Sequence, residues 1–195
     1  MSPSLPPATN ASLLRQDCWT NAVNAFGTGV LFERRAGGLR TKINVVTYLG
    51  IAVPLAVGGA VLALGTGASL LPVLVGVAGV LGLAQLLASA WSLAAGWPAC
   101  HAYAQEAASD NYRLANQFQS LGKAAPPDLA SRFAVLEAEY QARSAMDTKQ
   151  ALSDEEKRRG MRAALRHYQR KCAQCQTVPK SMTPTDCDVC GNFNP

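Results

Sequence analysis

Four of the six cysteines fall into the pattern Cys172-x2-Cys175-x11-Cys187-x2-Cys190, the most chemically specific feature of this 195-residue chain. Two thiolates separated by two residues form one knuckle around a metal ion, and two such knuckles complete the tetrahedral shell that Zn2+ prefers. The second knuckle, Cys187-Asp188-Val189-Cys190-Gly191, has a glycine where the chain must turn sharply past the ion; the first, Cys172-Ala173-Gln174-Cys175-Gln176, lacks one. Four thiolates close the coordination shell and leave no position for a reactive water, so the expected ion is structural Zn2+. Residues 172–195 are too few to build a hydrophobic core and are expected to fold around the metal as a small zinc ribbon. The alternative is a pair of disulfides, which a reducing cytoplasm disfavours. Cys18 and Cys100 have no partner pair and are expected to be ordinary buried thiols.

The second chemical feature lies immediately upstream. Arg158, Arg162, Arg166 and Arg170 recur every four residues, joined by Lys157, Arg159 and Lys171, while Met161, Leu165, Tyr168 and Cys172 form an apolar stripe. Residues 151–171 hold seven basic and three acidic side chains, a net +4, and residues 1–42 hold five basic and two acidic, a net +3, so the overall net charge of +5 is concentrated in these two segments rather than diffuse. Guanidinium forks match phosphate oxygens and a basic stripe follows a nucleic-acid backbone, while His167 and Tyr168 offer rings on which a base can stack. The candidate ligand-binding set is therefore Arg158, Arg159, Arg162, Arg166, His167, Tyr168, Arg170 and Lys171, for a nucleotide or short oligonucleotide. A solvated basic face, or one resting on anionic lipid headgroups, reads the same residues equally well. Nothing resembling a catalytic constellation accompanies them. There are two histidines, no nucleophile set beside a base, no phosphate-binding glycine motif opening a helix and no carboxylate pair in an apolar setting, so the chain is not expected to be an enzyme.

The elements that must position these groups are helical and bound to a membrane. Residues 43–105 contain no Asp, Glu, Lys or Arg. The run divides into two apolar spans, residues 45–64 and 70–93, each long enough to cross a hydrocarbon core of roughly 30 Å at about 1.5 Å per residue. Gly65-Thr66-Gly67-Ala68-Ser69 connects them without charge, whereas Arg34, Arg35, Arg40 and Lys42 crowd the start of the first span. That asymmetry predicts an inner-membrane hairpin, residues 43–98, with both termini in the cytoplasm. Trp91 and Trp97 suit the water boundary, and Pro98 marks a break before the chain continues. On the second span Gln85, Ser89 and Ser92 share one face with Gly82 and Gly96, and they are the candidate pore-lining residues; interhelical hydrogen bonding explains the same pattern. Gly50, Pro54 and Gly58 form a narrow face on the first span.

The flanks predict a cytoplasmic helical bundle. Residues 1–10 read as a flexible tail, with Asn10 as N-cap of an amphipathic helix within residues 11–42 that Gly37-Gly38 ends. Leu14, Cys18, Ala22, Phe26 and Val30 share its apolar face, which either lies at the membrane interface or forms a packed core. The helical region 99–171 contains a helix from Ala99 to Leu121, a loop from Gly122 to Pro127 and a second helix from Asp128 to about Met146 with Leu129, Phe133, Leu136 and Tyr140 at packing positions. A last helix opens with a capping box, Ser153 and Glu156, and runs to Lys171. The fold class predicted is thus an all-α membrane protein: a two-span transmembrane hairpin, a cytoplasmic helical bundle and a small C-terminal zinc ribbon.

The hairpin, the preceding Arg34-Arg35 helix and the four-cysteine spacing together resemble the mobilome CxxCx(11)CxxC proteins. That group is similar to the SLATT two-span effectors of bacterial nucleotide-linked anti-phage defence and to the membrane effector of Hailong-type systems. The resemblance implies a membrane effector that forms a pore or disrupts the inner membrane under control of a nucleotide or oligonucleotide, made by a partner nucleotidyltransferase. Two helices cannot enclose a channel, so conduction requires a homo-oligomer, with a tetramer as the working expectation. The alternative function is a membrane-anchored zinc-ribbon module that recruits protein or nucleic acid without conducting.

Overall fold

The computed structural model describes residues 7–64 and 71–194, and every regular element among them is helical. The order is α1 (Pro7–Leu64), α2 (Leu71–Ala94), α3 (Trp97–Ala124), α4 (Leu129–Asp147), a short 3-10 turn (Thr148–Gln150) and α5 (Asp154–His167). The first six residues of the expected tail, the uncharged connection 65–69 and Leu70 lie outside the described residues.

α1 departs from expectation at both its start and its middle. It begins at Pro7, so residues 7–10 are helical and Asn10 stands inside the helix rather than capping it. A proline suits a first turn, because the N–H it lacks has no partner there anyway. Nor does Gly37-Gly38 end the helix: neither glycine has a positive φ, and Thr41 Oγ1 donates to the Gly37 carbonyl 3.1 Å away within the continuing spiral. Glycine costs a helix about 1 kcal/mol against alanine but does not terminate it without a left-handed turn.

Two compact units follow from the packing, one made of Met1–Arg34 with Ala104–Pro195 and the other of Arg35–Tyr103. In the first, the apolar face of α1 meets α3 and α4. Cys18, Ala22, Ala25, Leu114, Ala115, Phe118, Leu129 and Leu136 form the buried core, with Leu14, Phe26, Phe133 and Tyr140 packed against it. Phe32 is 1% exposed, and Trp19 meets Tyr168 edge-on at 6.2 Å, so within this unit the aromatic residues of α1 serve the packed core rather than an open face. A second cluster joins Val23 of α1 to Ala164 and Leu165 of α5 and to Cys172, Cys187 and Cys190. α1 and α5 cross here through their glycines: a Cβ on Gly160 would lie only 2.4 Å from the Gly27 carbonyl oxygen.

This unit also contains a buried charge network. Arg143 on α4, 4% exposed, donates to Asp147 at 3.1 Å and to Asp110 at 3.1 Å, and Asn111 donates to Asp147 at 2.7 Å. Burial of Arg143 is tolerable because opposite charge and hydrogen bonds replace the water it loses.

The second unit holds the two apolar helical segments, which are long and apolar enough to cross a membrane. Gln85 on α2 donates its side-chain amide to the Val46 carbonyl on α1 and stands 3.4 Å from Ser89 Oγ. Gly50 leaves room for that amide, since a Cβ there would come within 3.1 Å of Gln85 Nε2. The break after α2 falls at Gly96 rather than Pro98. Gly96 takes φ +65, a left-handed conformation that costs glycine nothing, and Pro98 sits in the first turn of α3. Lys42 Nζ lies 5.7 Å from the Trp97 ring centre, a cation–π contact at this end of the unit. Cys100 is exposed, in contrast to the buried thiol expected there; Cys18 is fully buried as expected.

Candidate metal centre

After α5 the chain makes no regular structure; it folds back through turns and brings all four cysteines of the motif together. No strand forms among the described residues, so the zinc ribbon expected here is a pair of knuckles without a sheet. The four sulfurs lie within 4.8 Å of one another, with Cys172 to Cys187 and Cys175 to Cys190 both at 3.8 Å. A Zn–S bond of about 2.3 Å in a tetrahedron requires sulfur pairs about 3.8 Å apart. The donor set therefore fits one ion of the zinc type, and the separations are far from the roughly 2 Å of a disulfide.

Each knuckle is closed by its own backbone. Gln176 N–H donates to the Cys172 carbonyl at 3.0 Å, and Gly191 N–H to the Cys187 carbonyl at 2.7 Å. The glycine of the second knuckle answers to space and not to a left-handed φ: a Cβ on Gly191 would meet Thr185 Oγ1 at 2.0 Å and the Thr185 carbonyl oxygen at 2.6 Å. In the first knuckle the matching residue is Gln176, which adopts φ 56, a conformation that costs an L-residue about 1–2 kcal/mol.

The thiols are set unequally. Hydrogen bonds from the Thr177 hydroxyl and then its backbone N–H hold Cys175 down to about 6. Burial pushes Cys187 up, but the backbone N–H groups of Cys190 and Val189 and the neighbouring thiols outweigh it, leaving Cys187 lowered. Cys190 is raised, by burial first and then by the three neighbouring cysteines. Crowded sulfurs without a cation cannot all become thiolates, so protons stay on some of them; a divalent ion removes that restriction.

α5 supplies the support. Its capping box forms as expected, with Glu156 N–H donating to Ser153 Oγ at 3.2 Å and Ser153 N–H to the Glu156 carboxylate at 2.9 Å. Its far end comes earlier than expected. The helix stops at His167, where Gln169 turns left-handed at φ 52 and Arg170 N–H closes back on the Leu165 carbonyl at 2.9 Å. Arg170 and Lys171 therefore leave the helical register, because the chain must reverse before Cys172.

The candidate ligand-binding residues fall into two groups. Arg158 donates to the carbonyls of Asp188 at 2.8 Å and Asn192 at 3.1 Å. Arg159 donates to the Asn194 carbonyl at 3.0 Å and sits 5.5 Å from the Phe193 ring centre. Arg162 donates to the carbonyls of Ser181 at 2.8 Å and Cys190 at 3.1 Å. Three successive basic positions thus grip the backbone of the cysteine loop. His167 stacks on Phe26 with ring centres 4.2 Å apart, and Tyr168 packs edge-on against the same ring at 5.5 Å. Arg170 lies over Trp19 at 5.6 Å, whereas Arg166 and Lys171 are exposed. Of the candidate pore-lining residues, Gln85 and Ser89 share one polar contact inside the hairpin and Ser92 is 7% exposed. Sequence reasoning did not find Val23, Gly27 and Gly160, through which α1 meets the centre and its supporting helix; only a pair of glycines in otherwise good helices hinted at a close crossing.

The family model described as Mobilome CxxCx(11)CxxC protein matches residues 15–193. No curated protein and no solved structure matches the chain.

Proposed function

The chain belongs to the mobilome CxxCx(11)CxxC protein family, and we propose that it is an oligomeric two-span effector that opens or disrupts the bacterial inner membrane. The observation that carries this reading is the outer surface of the two apolar helical segments. Tyr48 is 71% exposed, Leu55 70%, Leu62 89%, Val80 70% and Leu93 72%, apolar side chains that the chain itself does not cover. Lipid tails or further copies of the hairpin must cover them, since contiguous apolar surface of this extent is unfavourable in water. The basic residues Arg34, Arg35, Arg40 and Lys42 at the start of the first span support a cytoplasmic location for both termini in this reading. Structural Zn2+ staples the adjoining helical unit. A nucleotide or oligonucleotide supplied by a partner enzyme is the controlling signal, and its contact falls on the basic groups with exposed surface, Arg166 and Lys171, with Arg170 beside them. Arg158, Arg159 and Arg162 are already engaged by carbonyls.

A second reading, the membrane-anchored module that recruits protein or nucleic acid without conducting, is favoured by one contact. The Gln85 amide donates to Val46 within the hairpin, so the polar face of α2 is satisfied without a water-filled pore. Expression in cells carrying a membrane-potential dye separates the two. An effector depolarises the cells, and the double substitution Gln85→Leu with Ser89→Leu alters this while cross-linking still detects the oligomer. An unchanged potential on full expression with every copurifying nucleotide identified and resupplied would leave the anchoring module.

A further inference from the structure

We propose that Arg162 is the counter-charge of the metal centre and thereby sets how tightly the ion is held, an inference that rests on the cysteine cluster being a metal site. Arg162 is 6% exposed, and its guanidinium meets only neutral acceptors: the Ser181 carbonyl at 2.8 Å, the Cys190 carbonyl at 3.1 Å and Thr185 Oγ1 at 3.5 Å. Among the described residues no carboxylate pairs with it. The contrast with Arg143 is direct, because that equally buried guanidinium faces Asp147, Asp110 and Glu106. Carbonyl dipoles satisfy the donors of a guanidinium but do not cancel its charge, and a buried uncompensated charge costs several kcal/mol.

The missing negative charge is supplied by the centre itself. A divalent ion bound by four thiolates carries a net charge of −2 by simple addition, and Arg162 holds the carbonyl of one of those ligands. In the low-dielectric surroundings of Ala164, Leu165 and Val23 the two charges stabilise each other more than they would in water. Two disulfides would be neutral and would leave Arg162 buried without compensation. Arg158 makes the comparison internal: it grips the same loop through the Asp188 and Asn192 carbonyls but is only half-buried, so solvent already serves its charge.

The test uses the full chain in detergent, loaded with zinc alone or cobalt alone, and reads ion affinity by competition with a chelator and thiolate coordination by the cobalt charge-transfer absorption. Arg162→Gln, which can still donate a hydrogen bond but carries no charge, weakens binding about 10- to 100-fold, the usual effect of removing an outer partner of a metal site. Arg162→Lys, which keeps the charge, retains most of the affinity, and Arg158→Gln loses less than Arg162→Gln. Equal losses for Arg162→Lys and Arg162→Gln would overturn the proposal in favour of a geometric clamp, as would a loss in Arg158→Gln as large as in Arg162→Gln. Unchanged affinity in Arg162→Gln with wild-type cobalt absorption overturns it too while leaving the metal site standing. A wild-type chain that takes up neither ion removes the metal reading and the counter-charge with it. Where Arg162→Gln does not fold, measured by helical circular dichroism, retention of the ion by Arg162→Lys against its loss in Arg162→Met decides in the proposal's favour, and its loss in both decides against it.

Discussion

The same substitution, glycine to alanine, should have opposite effects at Gly160 and Gly37. A Cβ at Gly160 would lie 2.4 Å from the Gly27 carbonyl oxygen and 3.0 Å from its carbonyl carbon. Ordinary contact lies near 3.5 Å, so α1 and α5 must separate by about 1 Å, and neither side can yield by rotating a side chain because both are backbone. Overpacking of this kind costs about 1–3 kcal/mol, against a gain of about 1 kcal/mol for removing a helical glycine, which leaves Gly160→Ala less stable by up to about 2 kcal/mol. At Gly37 nothing lies within 4 Å of the added methyl, so only the gain of about 0.5–1 kcal/mol remains. Gly27→Ala falls between them, since its Cβ would approach the Gly160 carbonyl group at 3.1 Å. Thermal unfolding of the full chain in detergent, followed by circular dichroism with zinc held saturating, should rank the variants Gly37→Ala above wild type, then Gly27→Ala, then Gly160→Ala. For a chain of this size about 1 kcal/mol corresponds to roughly 2–4 °C. If Gly160→Ala melts with Gly37→Ala, the two helices are not in backbone contact and the docking of α5 described above is wrong.

Arg143→Met should destabilise the helical unit by about 3–5 kcal/mol, because it strands Asp147, 3% exposed, without its cation; a melting temperature within a degree of wild type would remove the buried network as a stabilising feature. Gln176→Gly should stabilise the metal-loaded chain by about 0.5–1 kcal/mol and Gln176→Ala should not, since only glycine relieves the left-handed φ of 56; identical melting of both variants would mean the position carries no strain. Tyr112 is pushed upward by burial first and then by its hydrogen bond to Glu33, and burial raises Tyr140 and Tyr168 as well. A raised folded-state value means the folded chain holds the proton more tightly, so this stability is intact below the ordinary tyrosine value of about 10 and is lost as pH rises above it. Tyrosinate absorbance should therefore grow late and together with unfolding, less so in Tyr112→Phe; independent titration near pH 10 in the folded chain would contradict the burial.

Much of the helical architecture was legible because it rests on strong local signals. The Ser153/Glu156 box, the Leu129, Phe133, Leu136 and Tyr140 stripe and the four-cysteine spacing all depend on residues close in sequence, and each appears where expected. Boundaries were less legible where one glycine must be told from another. Gly96 turns left-handed and ends a helix, whereas Gly37 and Gly38 remain helical, and nothing local distinguishes a glycine that terminates from one that is merely tolerated. Charges were harder still. Arg143 lies among Glu106, Asp110 and Asp147, and only the packing of α3 on α4 makes that spacing a buried network rather than a solvated surface.

The basic helix poses that problem most sharply. A row of arginines every four residues is equally suited to phosphate oxygens and to peptide carbonyls, because both present lone pairs to a guanidinium fork. A loop of two metal knuckles has many carbonyls that no strand or helix satisfies, and those groups lie nearest to the helix that precedes the loop. Arg158, Arg159 and Arg162 are therefore drawn to Asp188, Asn192, Asn194, Ser181 and Cys190 before any free ligand can compete. Each carbonyl leaves the positive charge uncancelled, and at Arg162 it is also sealed from water. A divalent ion held by four thiolates supplies the negative charge that such a guanidinium lacks. The arginine row thus has a use that needs no ligand at all, and within this row the groups not drawn to the loop's carbonyls are Arg166, Arg170 and Lys171, the first and last of them exposed.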